Sequence, residues 1–280
     1  MAALENKIDF VALVSVTLAN GNGDPLDGNR PRTDYRGYGE ISDVCIKRKI
    51  RNRMQSMGKK IFVQSDCMAD DGYKSLSERA SKEIKDVKSN EEYAKTACAK
   101  WLDVRAFGQV FAFKATENSG VSVGVRGPVS IHQAVSVSPV EVYSMQITKS
   151  VNSEPAEKKS SDTMGSKHMV RFGLYEIKGS INVQLAEKTG FSAEDAETVK
   201  ECLRTLFVND ASAARPEGSM EVCRLFWFEH NCKDGQYSTA RVHRSVKVSL
   251  KADAPPESFG DYVVTREELP GLKCEEINGI

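Results

Sequence analysis

The stretch LANGNGDPLDGNRPRTDYRGYGEISDVCIKRKIRNRM, residues 18–54, decides how this chain is read. A Gly-, Asn- and Asp-rich loop (19–40) leads straight into a helix-like run dense in Lys and Arg. A loop of this kind serves to cradle a nucleotide, hold calcium, catalyse, or lie along a nucleic-acid backbone. Just upstream, KIDFVALVSVTL (7–18) reads as a buried strand, rich in Val and Ile. Downstream, Ser42 is placed to cap a helix from Asp43 to about Met57, and the acid in its first turn suits the helix dipole. Ile46, Ile50, Met54 and Met57 form one apolar stripe. Lys47 and Arg51 flank it on one side and Lys49 and Arg53 on the other, while Arg48 points away.

The spacing tests each reading of the loop. Gly23 and Gly28 match G-x-x-x-x-G, but a phosphate-binding P-loop needs Lys and Ser or Thr next, and Asn29 and Arg30 stand there. Asn20, Asn22 and Asp24 match the first three side-chain ligand positions of an EF-hand. Its sixth and twelfth positions require Gly and Glu, and the chain has Pro25 and Pro31. The four His (132, 168, 230, 243) fall in no H-E-x-x-H, and no Ser lies in G-x-S-x-G. Cys223, His230 and Cys232 fit no common zinc spacing. No catalytic residue, metal site or cofactor is expected.

Nucleic acid remains. Arg30 and Arg32 flank Pro31, and the helix adds five cations. Backbone N–H groups of such a loop and of a helix start approach phosphate oxygens closely, and Arg grips a phosphate in two places. The competing reading is a solvated basic helix face. Lys plus Arg is 39 and Asp plus Glu is 39, so the net charge is zero. The distribution is nevertheless polarised. Seven bases and no acid lie between Lys47 and Lys60, and Glu267, Glu268, Glu275 and Glu276 gather near the C-terminus.

The other signals place the chain among ordinary globular proteins, with 40% hydrophobic and 28% charged residues. The seven Cys, odd in number and without C-x-x-C, point to reduced thiols and a cytoplasmic location. The acid-interrupted N-terminus is not a secretory signal, and no apolar run is long enough to span a membrane. KKIFVQ (59–64), VRAFGQVFAF (104–113), GVSVGVRGPVSI (120–131), MEVCRLFWFEH (220–230) and ARVHRSVKVSL (240–250) read as strands. Residues 77–102 read as helical, and Ser192 caps a helix from 193 to about 207. VEVYSMQIT (140–148) and HMVRFGLYEIKGSINVQL (168–185) read as a long hairpin whose polar tip, 149–167, cannot bury enough apolar surface to order itself. The two strand–helix–strand units match an α+β, ferredoxin-like domain carrying insertions. RAFGQVFAF (105–113) loosely fits an RNA-recognition strand motif, but Gln109 and Ala112 stand where aromatics are expected.

NGNGDPLDGNRPRTD, ISDVCIKRKIRN, DVRAFGQV, GVRGPVSIHQAVSVSPVEV and HMVRFGLYEIKG stand in the order found in the Cas-seven family. The chain resembles that family from about residue 7 to 250, and within it the RNA-binding backbone subunit of type I-C Cascade. The resemblance implies a single domain, 1–280, with an RNA-recognition-like palm, finger insertions and a hairpin thumb at 140–178. It implies a non-catalytic subunit, copies of which assemble along one CRISPR RNA. Their partners would be other Cascade subunits, target DNA through guide pairing, and a recruited helicase-nuclease. Because spacer sequence varies, contact must go to the RNA backbone. The expected RNA-binding residues are Asn22, Arg30, Arg32, Lys47, Lys49, Arg51, Arg53, Arg105, Arg126, Lys149, Lys167, His168 and Arg171, with Met145 or Met169 as a wedge beside a displaced base. Related type III subunits cleave RNA with a loop acid, which keeps a metal-dependent endoribonuclease as the alternative. Asp24, Asp27 and Asp34 read instead as turn formers, and Asp43 as helix-initiating.

Overall fold

The computed structural model describes residues 2–87, 89–113, 121–148 and 164–280. The first strand, Ile8–Ala19, lies inside an eight-stranded sheet. Its neighbours are Met164–Ile181 on one side and Met220–Glu229 on the other, both antiparallel. Beyond these lie Lys273–Asn278 at one edge and Ala134–Pro139 and then Tyr38–Ile41 toward the other. Val129–Ile131 also pairs with the long strand.

Helices and a small sheet cover opposite faces of the large sheet, which explains why Ile8–Val16 is buried at every position. On one face Phe10, Ala12, Val14 and Val16 meet Ile46, Ile50 and Met54 of the helix Asp43–Ser56 and Val199 and Leu203 of the helix Ala193–Arg204. On the other, Val11, Leu13, Leu174 and Phe228 meet Val242, Val246, Tyr262 and Leu269. A third cluster, Phe62, Ala97, Trp101, Phe111 and Val123, sits among the segments between the basic helix and the central sheet.

Both helix caps expected from the sequence form. Ser42 accepts from the Cys45 N–H, and Ser192 and Asp195 make a reciprocal capping box. Several elements differ from expectation. Residues 59–64 form no strand, because the N–H groups of Phe62 and Val63 bond to the Asp103 carboxylate instead of to a ladder. Leu102–Phe107 is helical, with Leu102 and Ala106 buried one turn apart, and Gly108 at φ 81° ends it; only Gly108–Phe113 is strand. The expected helix 77–102 is two helices, Leu76–Glu83 and Asn90–Lys100. Thr239–Ser245 is a helix capped by Ser238, and its Val242 shares an apolar cluster with Val246 one turn on; the strand is Val246–Leu250. Residues 183–185, read as a strand end, open the helix Val183–Thr189, which is capped by Asn182.

The long strand does two jobs. From Val170 to Ile181 it pairs with the first strand. From Met164 to Val170 it pairs with Val142–Thr148 and runs past the central sheet as one arm of a hairpin. Residues 164–167, expected within the polar tip, are therefore strand. The rest of that tip, 149–163, and with it Lys149, lies outside the described residues.

Candidate nucleic-acid interface

The Gly-rich loop is held by its own polar side chains. Gly23–Asp24 pairs with Arg30–Pro31 as a tiny ribbon, and Gly28 and Asn29 both take positive φ to turn the chain back. Asp24 Oδ1 accepts the Leu26 N–H, and the Asp24 carbonyl accepts those of Asp27 and Asn29. Asn22 Oδ1 accepts the Ser42 N–H at 2.8 Å, tying the loop to the helix start. Arg32 pairs with Asp24 at 3.2 Å. Asp34 accepts the N–H groups of Arg36 and Tyr38. Asp24 and Asp34 are thus turn formers, and Asp43 stands in the first helical turn.

Loop and hairpin meet, although 114 residues separate them. Arg30 Nη1 donates to Ser144 Oγ at 3.1 Å, and Ser144 Oγ lies 2.8 Å from His168 Nδ1. Ser144 Oγ, with two lone pairs and one proton, thus joins the guanidinium to the imidazole. Arg171 forks onto Glu141 at the hairpin root (2.9 and 3.1 Å) and stacks over Tyr143. Ser144 carries this convergence, and nothing in its local sequence marks it beyond its place in an alternating strand. Met145 is 44% exposed, whereas Met169 is buried under Tyr143.

The basic helix is a different matter, because each of its five cations has a partner within the chain. Lys47 pairs with Asp43. Arg48, expected to point away, is half-buried and donates to the Val63 carbonyl at 2.6 Å. Lys49, 4% exposed, pairs with Asp210, which also meets Arg215. Burial pushes the Lys49 ammonium below its ordinary range, with Asp210 pulling the other way. Arg51 donates to Asp103, and Arg53 donates to Thr205 Oγ1 at 2.7 Å. Arg105 forks onto Asp195 at 2.7 and 2.8 Å, joining two helices. Arg126 is exposed at a strand end, and Lys167 lies opposite Met145 on the hairpin. The aromatic residues of the loose RNA-recognition match pack inward: Phe111 is buried on Phe62 and Tyr93, Phe107 and Phe113 are partly buried, and among the described residues the strand of Phe111 pairs with Val121–Arg126 alone.

His230 is equally committed to structure. Gln236 N–H donates to its Nδ1, so Nε2–H donates to the buried Asp9 carboxylate at 2.9 Å. Thr239 donates to the other oxygen of Asp9. Among the described residues, no group of three His, Cys, Asp or Glu is placed to hold a metal ion. No described helix is long and apolar enough to cross a membrane.

The family model for CRISPR-associated protein Cas7 matches residues 6–267, so this chain belongs to the Cas7 family. A curated relative, the CRISPR-associated protein Cas7 of Haloferax volcanii, is 25% identical over 289 residues, covering 94% of this chain and 82% of the relative. Among solved structures, a chain of a "CRISPR RNA-guided surveillance complex, pre-nicking" superposes with a TM-score of 0.50 at 17% identity, over 84% of this chain and 81% of that one. A chain of a "CRISPR RNA-guided surveillance complex" superposes with a TM-score of 0.47 at 19% identity, over 79% and 68%.

Proposed function

We propose that this chain is the non-catalytic backbone subunit of a type I-C CRISPR surveillance complex, working in the cytoplasm. Copies lie side by side along a CRISPR RNA, hold it through its phosphates and 2′-hydroxyls, and present it for pairing with target DNA. Other Cascade subunits complete the complex, and a helicase-nuclease acts after recruitment. Membership of the Cas7 family carries this reading. The convergence of Arg30, Ser144 and His168 supports it, because two distant segments bring a guanidinium and an imidazole to one exposed place. The strand order, with Ile8–Ala19 between Met220–Glu229 and Met164–Ile181 and with Ala134–Pro139 beyond the latter, supports an RNA-recognition-like palm. The hairpin is then the thumb. Because both faces of this palm are covered, RNA would lie across the loop and hairpin rather than on the sheet. Lys47, Lys49, Arg51, Arg53 and Arg105 would act mainly by bracing that surface.

The test is to purify the chain with the products of its neighbouring genes and sequence the bound RNA. Short RNA of uniform length carrying CRISPR repeat sequence is expected. Light scattering with guides of graded length should show one further subunit per added segment. A fixed dimer at every length, or full-size filaments after RNase digestion, would sink the assembly reading. Chelator-sensitive cutting of complementary RNA would replace it with the endoribonuclease.

A further inference from the structure

The loop also carries an aromatic side chain that the phosphate reading does not use. Tyr35 is 95% exposed, on a turn that is anything but loose. Asp34 N–H donates to the Tyr38 carbonyl, Gly37 N–H donates to the Asp34 carbonyl, and the Asp34 carboxylate accepts from Arg36 and Tyr38. The Arg36 guanidinium is held by Asp34 at 3.0 Å, 4.9 Å from the centre of the Tyr38 ring and 5.6 Å from that of Tyr35. The turn is fastened in turn to the hairpin root, where Val140 N–H donates to the Gly37 carbonyl.

We propose that Tyr35, buttressed by Arg36, is a stacking platform for one nucleobase of the bound RNA. This rests on the RNA-binding reading above. Three observations select a base. The guanidinium is matched by its own carboxylate, so the platform is charge-compensated and unsuited to a phosphate, whereas a π face stacks on it without regard to base identity. The backbone beneath the ring is already ordered by hydrogen bonds, so little ordering entropy remains to be lost on binding. Through Val140 the turn is fastened to the root of the same hairpin that brings Ser144 and His168 to Arg30, so platform and backbone donors belong to one braced surface. The same construction recurs on the hairpin, where Arg171 is matched by Glu141 and lies over Tyr143.

The experiment measures binding of a guide-length RNA to the purified protein across a salt series, for wild type, Tyr35→Phe and Tyr35→Ala. The RNA carries 2-aminopurine at successive positions. Tyr35→Ala should weaken binding about tenfold with an unchanged salt slope, since no phosphate contact is lost. It should also restore emission that wild type quenches at particular positions. Tyr35→Phe should behave as wild type. Unchanged affinity and quenching in Tyr35→Ala would overturn the platform while leaving RNA binding intact. A smaller assembly with unchanged RNA affinity would overturn it in favour of a contact between copies. Failure of the wild type to bind RNA would overturn the parent reading itself.

Discussion

Arg51 donates to the Asp103 carboxylate across 3.0 Å, and the same carboxylate accepts the backbone N–H groups of Phe62 and Val63 at 2.6 and 3.0 Å. Asp103 is fully buried. One carboxylate thus fastens the basic helix to the segment that follows it. Replacing Asp103 by Ala should cost about 3 kcal/mol or more, because a largely buried guanidinium and two amides lose their acceptor. Asp103→Asn should cost less, since an amide oxygen still accepts from one N–H. Urea unfolding with an unchanged slope checks both. A wild-type midpoint in Asp103→Ala would show that the carboxylate anchors nothing.

An exposed cation, Arg30, whose pairing with Asp27 at 3.8 Å is open to solvent, and a buried one, Lys49, should separate in one experiment. Arg30→Ala should weaken RNA binding and lower the salt slope by about 0.7. Lys49→Ala should leave that slope unchanged while lowering the urea midpoint, because its ammonium faces Asp210. The reverse pattern would move the interface onto the helix.

His243 should make stability fall in weak acid. It is buried, donates from Nε2 to the Gly179 carbonyl, and meets the His132 ring edge-on. Burial lowers its pKa below the ordinary value; the Gly179 carbonyl and Asp9 act in the opposite sense, and His132 and Lys178 add to the lowering. The unfolded chain therefore takes up a proton that the folded chain refuses. Stability from this group is full above about pH 6.5 and declines as pH falls below it, toward the folded pKa. Urea midpoints from pH 7.5 down to 5.5 should drop in wild type and drop less in His243→Gln. Parallel curves would assign the acid sensitivity to other groups.

Gly179 lies where the long strand passes the Phe10 ring and the Ser130 carbonyl, and a Cβ there would collide with both. Gly179→Ala should cost about 2 kcal/mol through overpacking, read as a lower thermal midpoint. An unchanged midpoint would mean that Phe10 moves aside freely.

The elements legible in the sequence were those whose cause is local. Ile8–Ala19 announces itself by a largely apolar run rich in Val, and Ser42 and Ser192 announce helices by capping chemistry a few residues long. Short apolar runs misled, because Val104–Phe107 and Arg241–Ser245 suit either period until the partner surface is known. The site was half legible. Composition displays the charges of Lys49, Arg51 and Arg53 but not the residues that meet them. Asp210, Asp103 and Thr205 come from more than fifty positions downstream. Arg30 was legible as a cation, and its meeting with Ser144 was not, since only the strand pairing Met145↔Lys167 and its neighbours brings the hairpin to that height.

Met164–Ile181 is a single strand of 18 residues, about two-thirds in the central sheet and one-third in the projecting arm. It has no joint at the sheet boundary, so the arm does not swivel without peeling the ladder from the first strand. At the rise of an extended chain it spans roughly 60 Å. It therefore acts as a gauge rod, setting the distance between the centre of the sheet and whatever the arm touches. An array of such copies would inherit its pitch from a backbone dimension, independent of the sequence of the strand it follows.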